Sequence, residues 1–337
     1  MGFKDVTMLI VGCGSIGARH ATNLATLGVG KVVLCDPNPE RTKELASKLS
    51  GVETGTVKSI EEALKGKKKP NAAVIATPSS MHVEHAALCA SSGVDVLIEK
   101  PLSNTLDNVV NLINTASEKK VMVMMAMCYR FHPVFLRLKE IIEESILGDI
   151  YHVNYFGGHY LPDWHPDVDY RDEYAARSDL GGGVVLTSIH GLDNIRWLFG
   201  DVLEVASFVD TVSDLDMDVE DMVASIMKTE KAIHISMYSD FLNRKGQHLM
   251  HVTASLGSIE CDFISGTIKR FTANNGETTT ETVDYDVNTM YLGEMEYFLK
   301  SIEEGDEPVP GLHDGVMTLK LAMALKESSD ARKFILL

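Results

Sequence analysis

The 337-residue chain has few cysteines. There are five, at Cys13, Cys35, Cys89, Cys128 and Cys261, scattered and with no C-x-x-C pair. That excludes a disulfide framework and fits a reducing compartment. Basic charge is also short: 31 Lys and Arg stand against 48 Asp and Glu, a formal net charge of −17. Phosphate backbones are bound by Lys/Arg-rich surfaces, so no nucleic-acid partner is expected. No apolar run approaches the ~18–20 residues of a membrane span, and no membrane partner is expected. The opening MGFKDVTMLIVGCG lacks the layout of a signal peptide, and the expected location is cytoplasmic. His82 and His85 lie three apart, but there is no third ligand and no H-E-x-x-H. The stretch DLDMDVED (214–221) has Val219 where a calcium loop needs glycine, and Ser225 where it needs glutamate. No metal site is expected, and the acidic stretch reads as a solvated loop.

Apolar residues make up 45% of the chain and charged residues 23%, ordinary values for a globular protein. A single core stops growing near ~250–300 residues, so two domains are expected. Residues 1–128 alternate strand and helix. VTMLIV, KVVLCD, AAVIAT, DVLIE and VMVMMAM are short runs, apolar almost throughout. Strands apolar on both faces belong to a parallel sheet covered by helices. The spacing gives an α/β domain with a doubly wound parallel sheet of the Rossmann type.

The first strand runs into GCGSIG, a G-x-G-x-x-G loop at Gly12, Gly14 and Gly17, with Ser15 and Ile16 inside it. Such a loop lets a pyrophosphate approach the backbone at a helix N-terminus. Asp36 ends the second strand, 19 residues after Gly17, where a carboxylate can bond the ribose hydroxyls and repel a 2′-phosphate. NAD is therefore favoured over NADP, with Arg41 the one candidate for a 2′-phosphate. Thr77 and Pro78, with His82 beyond them, end the AAVIAT strand; Glu99, Lys100 and Pro101 end the DVLIE strand. Ligands of doubly wound sheets bind outside the carboxyl ends of the strands, so these residues are cofactor-site candidates. Lys100 is also a catalytic candidate.

GCGSIGARH, ATPSSMH and VLIEKPLS resemble the cofactor domain of the glucose–fructose oxidoreductase/inositol dehydrogenase/MocA family, and the resemblance covers nearly the full chain. It implies that Lys100 binds the substrate hydroxyls and assists proton transfer, and that the Lys100–Pro101 bond is cis. DLGGGVVLTSIHGLDNIRWLFG (179–200) is similar to the family's third motif: glycines, then Asp, His and Asp. His190 and Asp193 match. The first Asp is replaced by Thr187, which can hydrogen-bond but cannot carry charge. The resemblance gives His190 a catalytic role, with Thr187 in the position of its missing partner. It also implies a dimer or tetramer.

Residues 129–337 are expected to form an α+β domain with a large, mostly antiparallel open sheet. Alternating apolar and polar residues over roughly 203–285 support the sheet, and two helical stretches, about 288–303 and 314–327, close the chain. The last helix is expected to pack back on the Rossmann domain, and the open sheet face to join subunits. The irregular stretch YLPDWHPDVDYRDEY (160–174) is long for a connector. Tyr160, Trp164, Tyr170 and Arg171 in it are candidate substrate contacts, together with Arg130, Lys100, Thr187, His190 and Asp193. The expected function is an NAD(H)-dependent oxidoreductase of a carbohydrate-like alcohol or ketone: a sugar, an inositol or a nucleotide sugar. The alternatives are a non-catalytic NAD- or sugar-binding regulator, and a hydrolase or lyase that uses tightly bound NAD transiently.

Overall fold

The computed structural model describes residues 3–66 and 69–337; the middle of the KGKKKP connector (65–70) lies outside them. The first strands and helices alternate: β1 (Thr7–Val11), α1 (Ser15–Leu27), β2 (Lys31–Cys35), α2 (Pro39–Lys48), β3 (Glu53–Val57), α3 (Ile60–Leu64), β4 (Ala72–Ile75), α4 (His82–Ser91), β5 (Asp95–Glu99), α5 (Val109–Lys119) and β6 (Val123–Ala126). They build a six-stranded sheet in the order β3-β2-β1-β4-β5-β6, with every neighbouring pair parallel. Met8, Leu9, Ile10, Val74, Leu97 and Ile98 are fully buried, as a sheet covered on both faces requires. The reversal of strand order between β1 and β4 places the loops after β1, β4 and β5 side by side at the carboxyl edge.

The chain then forms α6 (Pro133–Glu143), β7 (Ile150–Gly158), α7 (Val184–Thr187), α8 (Ile189–Phe199) and the strands β8 (Val202–Asp210), β9 (Met222–Thr229), β10 (His234–Asp240), β11 (Gln247–Ala254), β12 (Gly257–Asp262), β13 (Thr267–Thr272) and β14 (Glu277–Thr282). After α9 (Asn288–Glu304) and α10 (Leu312–Ala331), β15 (Ile335–Leu336) ends it. The second sheet has nine strands in the order β14-β13-β12-β11-β7-β10-β9-β8-β15. Only the β7–β10 pair is parallel.

The contacts divide the chain into two units. The first comprises the residues up to Cys128 together with Asn288–Val316; the second comprises Tyr129–Val287 and Met317–Leu337. From sequence, the second domain was expected to comprise residues 129–337, with only its last helix packing back on the first. In the structure α9 packs on α1, inside the first unit.

The acidic stretch 214–221 is solvent-exposed at Asp214, Asp216 and Asp218, as expected, but it ends in a buried acid. Asp221 is fully buried and accepts the main-chain N–H groups of Val212 and Ser213 at 2.9 and 3.0 Å. Asp216 receives Arg171, and Asp218 receives the Ser178 N–H at 2.8 Å. The carboxylates replace water as acceptors for a turn that has few main-chain partners of its own.

Candidate active site

In the first unit, the glycine loop is built for close approach. Gly12 has φ +95°, and a Cβ there would meet the Ala76 carbonyl at 2.5 Å. A Cβ on Gly17 would meet the Gly12 carbonyl at 1.9 Å, so the helix can lie this close to the loop only without a side chain. Gly14 differs from both. It caps α1 with no side-chain hydrogen bond, the first turn has no acid, and no atom lies within 4 Å of a Cβ built there. The unpaired N–H groups and positive dipole end of α1, opening beside Ser15 and Ile16, suit a pyrophosphate.

Asp36 lies beside this loop and is buried. Its Oδ2 accepts the Cys13 N–H at 3.0 Å and its Oδ1 the Asn38 N–H at 2.8 Å. A carboxylate has about four acceptor positions, so each oxygen keeps one for a ribose hydroxyl. Burial, aided by the Asp36 charge, pushes the Cys13 thiol up to about 12, which keeps it protonated and unreactive. The loop therefore fits a dinucleotide by its own geometry.

At the next strand ends, Thr77 and Pro78 follow β4, while Glu99 closes β5 ahead of Lys100 and a cis Pro101. His82 bridges these two ends. Its Nδ1 lies 2.7 Å from the Pro101 carbonyl and its Nε2 2.7 Å from the Thr77 carbonyl. Both ring nitrogens of this proposed cofactor ligand thus face main-chain carbonyls, and the ring is buried. Burial lowers its pKa more than the two carbonyls raise it. Thr77 Oγ1 lies 3.1 Å from His85 Nδ1.

Glu99 is buried too. Its Oε1 lies 2.7 Å from His20 Nε2, and its Oε2 accepts the Lys100 N–H at 3.1 Å. Burial alone would raise the Glu99 carboxyl, but the His20 bond and charge and the Lys100 charge outweigh it and hold it below the usual value. His20 ends the GCGSIGARH motif but was not singled out as a site residue; it reaches Glu99 only through the fold.

In the second unit, His190 lies near the start of α8 with its ring stacked on Tyr129, centroids 4.4 Å apart. Thr187 ends α7 and is buried. Arg130 and Asp193 face each other: Arg130 Nε and Nη2 donate to the two Asp193 oxygens at 2.8 and 2.7 Å, both side chains buried. This bidentate pair joins the turn at Cys128–Phe131 to α8.

In the 160–174 stretch, the Arg244 guanidinium covers the Tyr160 ring, 3.6 Å from its centroid. Trp164 stands edge-on to Phe241 at 5.6 Å and to His159 at 5.8 Å. The Tyr170 hydroxyl accepts the Asp216 N–H at 3.0 Å, and Arg171 pairs with Asp169 and Asp216 at the surface. Tyr160 and Trp164 thus pack on separate partners, whereas Tyr170 and Arg171 tie the stretch to the acidic loop. Among the described residues no group of three His, Cys, Asp or Glu side chains could hold a metal ion.

Comparison with known proteins decides the family. Residues 6–127 match the oxidoreductase family with an NAD-binding Rossmann fold, and residues 135–260 match the GFO/IDH/MocA C-terminal domain. The chain belongs to the Gfo/Idh/MocA oxidoreductase family. This Gfo/Idh/MocA chain is 25% identical over 338 residues to a myo-inositol 2-dehydrogenase of Thermotoga maritima, covering 97% of each. It is 25% identical to a scyllo-inositol 2-dehydrogenase (NAD(+)) of Bacillus subtilis, covering 96% of this chain and 94% of the relative. Its fold matches a levoglucosan dehydrogenase solved with NADH and levoglucosan, with TM-score 0.87, 19% identity and 98% of each chain covered. Both sheets of this Gfo/Idh/MocA protein are thus those of its family.

Proposed function

We propose that this oxidoreductase transfers hydride between NAD and a carbohydrate-like alcohol or its ketone. The observation that supports it best is the first unit's carboxyl edge. An uncapped helix start at Gly14, the buried Asp36 carboxylate and Lys100 all lie at the ends of neighbouring strands. NAD, when bound, supplies the hydride acceptor or donor. Gly12, Gly14, Ser15, Ile16 and Gly17 hold its phosphates, and Asp36 holds the adenosine ribose and disfavours a 2′-phosphate, so NAD is preferred to NADP. Glu99 fixes the Lys100 main chain, and the Lys100 ammonium polarises the reacting oxygen. His190, oriented by Tyr129, takes or returns the hydroxyl proton, and neutral pH suits an imidazole for that work. Thr187 hydrogen-bonds the substrate without relaying charge. Tyr160 and Trp164 offer apolar ring faces to a sugar or inositol, a fit in keeping with the inositol and levoglucosan named for its relatives.

Single-turnover absorbance with NAD⁺ and a panel of sugars, inositols and nucleotide sugars tests this. Wild type is expected to form reduced nicotinamide with at least one of them. Lys100→Ala is expected to lose about 10²–10³-fold in rate, as for removal of one key electrostatic donor, and to keep its NAD affinity. NAD binding without turnover across the panel would replace this reading by that of an NAD-binding regulator.

The open face of the second sheet supports a homo-oligomer. The register lines up Phe208, Ala224, Tyr238 and Phe156 across four strands on one face. Phe208 is 68% exposed and Ile226 53%. A groove of about 1020 Å³ lies over this face. Sedimentation equilibrium giving only monomer mass would remove this assignment.

A further inference from the structure

The start of α8 rests on a tyrosine that the chemistry above does not use. Gly191 follows His190, and a Cβ built on it would lie 2.8 Å from Tyr155 Cε1, 2.9 Å from Cζ and 3.0 Å from the hydroxyl oxygen. A methyl group there would push on the ring, so the helix main chain lies directly against Tyr155. Tyr155 is on β7 and only 6% exposed. The register of β7 on β11 sets Tyr155 opposite Met250 and Gly157 opposite His248. Tyr155 and His248 are thus diagonal neighbours on one face of the sheet, within reach of each other for side chains of this length. Gly157 adds no side chain beside them; a Cβ there would meet Tyr155 Cε1 and the hydroxyl oxygen at 3.3 Å. The Tyr155 hydroxyl lies 2.9 Å from His248 Nε2. Burial raises the Tyr155 phenol above its ordinary value and lowers His248 to about 3, so the hydroxyl keeps its proton and donates it to a neutral ring.

His248 leads back to His190 by a second route. Its ring lies 5.4 Å from Tyr129, and Tyr129 carries the His190 ring at 4.4 Å with the planes 19° apart. Phe135 and Phe263, stacked on each other at 3.8 Å, back this group: Phe135 lies 5.5 Å from Tyr129, and Phe263 4.6 Å from His248. His190 is therefore supported twice. Tyr155 bears its main chain through Gly191, Tyr129 bears its ring, and the Tyr155–His248 bond ties the two supports together. Stacked rings tolerate a range of offsets, whereas a hydrogen bond sets a distance and a direction. The bond gives this circuit of contacts a fixed geometry.

We propose that Tyr155 is a positioning residue for His190: its ring carries the helix start, and its hydroxyl fixes His248 against Tyr129, the ring on which His190 stacks. This rests on the reading that His190 takes or returns the hydroxyl proton. A general base works only within hydrogen-bond reach of that proton, and a displacement of about 1 Å can cost about 10²-fold in rate.

NMR of the full-length protein, with carbon-13 in its histidine rings, reads the position without turnover. The His190 ring lies over the Tyr129 face, whose ring current moves its proton signals upfield; they are assigned by their loss in His190→Asn. Tyr155→Phe keeps the ring under Gly191 but cannot bond His248, and the His190 signals are expected to move in it toward their ordinary positions. Kinetics with the panel compound that reduces NAD⁺ read the consequence. Tyr155→Phe is expected to lose about tenfold in kcat, the size of one hydrogen bond, with the KM for that compound and the NAD affinity within about twofold of wild type. Gly191→Ala is expected to move the same signals further and to lose about 10²-fold in kcat. His190 signals that stay in place in Tyr155→Phe would overturn the proposal, because any loss of rate would then arise elsewhere. Wild-type kcat with moved signals would overturn it as well, and so would a raised KM at unchanged kcat, which would make Tyr155 a substrate contact. If Gly191→Ala does not fold, Tyr155→Phe still decides. Wild-type turnover in His190→Asn would remove the underlying reading and leave the NMR result standing as a statement about the fold.

Discussion

The Arg130–Asp193 pair is a buried, bidentate ion pair. Asp193 also has the Thr318 hydroxyl at 3.4 Å. Removing one partner strands the other charge, at a cost of about 3–5 kcal/mol. Asp193→Asn is expected to lose stability of that order in urea denaturation. A loss of substrate affinity in Asp193→Asn at unchanged stability would restore Asp193 as a substrate ligand. The partners of single residues are the least legible part of the site. His20 ends a motif, but the Glu99 carboxylate opposite it is brought there by tertiary packing. Lys100 and His190 stood out because they lie within motifs, at a strand end and after a run of glycines. For Asp193 the motif gave the position, but the guanidinium opposite it came only from the fold.

At the scale of elements, the glycine loop separates folding from binding. A methyl group on Gly17 has nowhere to go, 1.9 Å from a carbonyl oxygen, whereas one on Gly14 enters open space. Gly17→Ala is expected to destabilise the first unit by several kcal/mol and abolish NAD binding. Gly14→Ala is expected to unfold at the wild-type temperature but bind NAD more weakly, because its methyl group stands where the phosphates approach. Equal melting temperatures for the two variants, measured by circular dichroism, would contradict this division. The five apolar strands were legible because burial on both faces leaves a run with no polar interruption. β3 (ETGTV) and β14 (ETTTET) were not, because they are edge strands, half exposed or more, and their residues do not alternate. Edge strands are commonly polar, and that is the composition that also marks loops. In the 214–221 stretch the burial of Asp221 was missed for a related reason: a carboxylate that binds main-chain N–H groups reads like a carboxylate in water.

The whole molecule has a pH dependence set by buried imidazoles. In the second unit burial lowers His248 to about 3, helped by His132, and lowers His132 to about 4. Both are neutral in the folded state, whereas the unfolded chain would protonate them near the ordinary histidine value of about 6.5. Their contribution is full above that pH and is lost as pH falls toward about 4, at about 1.4 kcal/mol per pH unit for each group. Urea midpoints should fall steadily over this window, and His248→Phe, which keeps a ring but cannot titrate, should flatten the slope. An unchanged slope in that variant would mean that His248 is charged in the fold.

The chain leaves the first unit after Cys128 and returns at Asn288, and the returning stretch covers α1 with α9 and bonds β6 through the Met125 N–H and the Pro310 carbonyl, 2.9 Å apart. The second unit likewise needs Met317–Leu337, whose last strand pairs with β8. Domains on a growing chain usually fold in order, the N-terminal one first. Here the first unit waits for Asn288–Val316 and the second for Met317–Leu337. A chain cut short before Asn288 would therefore carry a six-stranded sheet without α9 over α1, and a second sheet without β15.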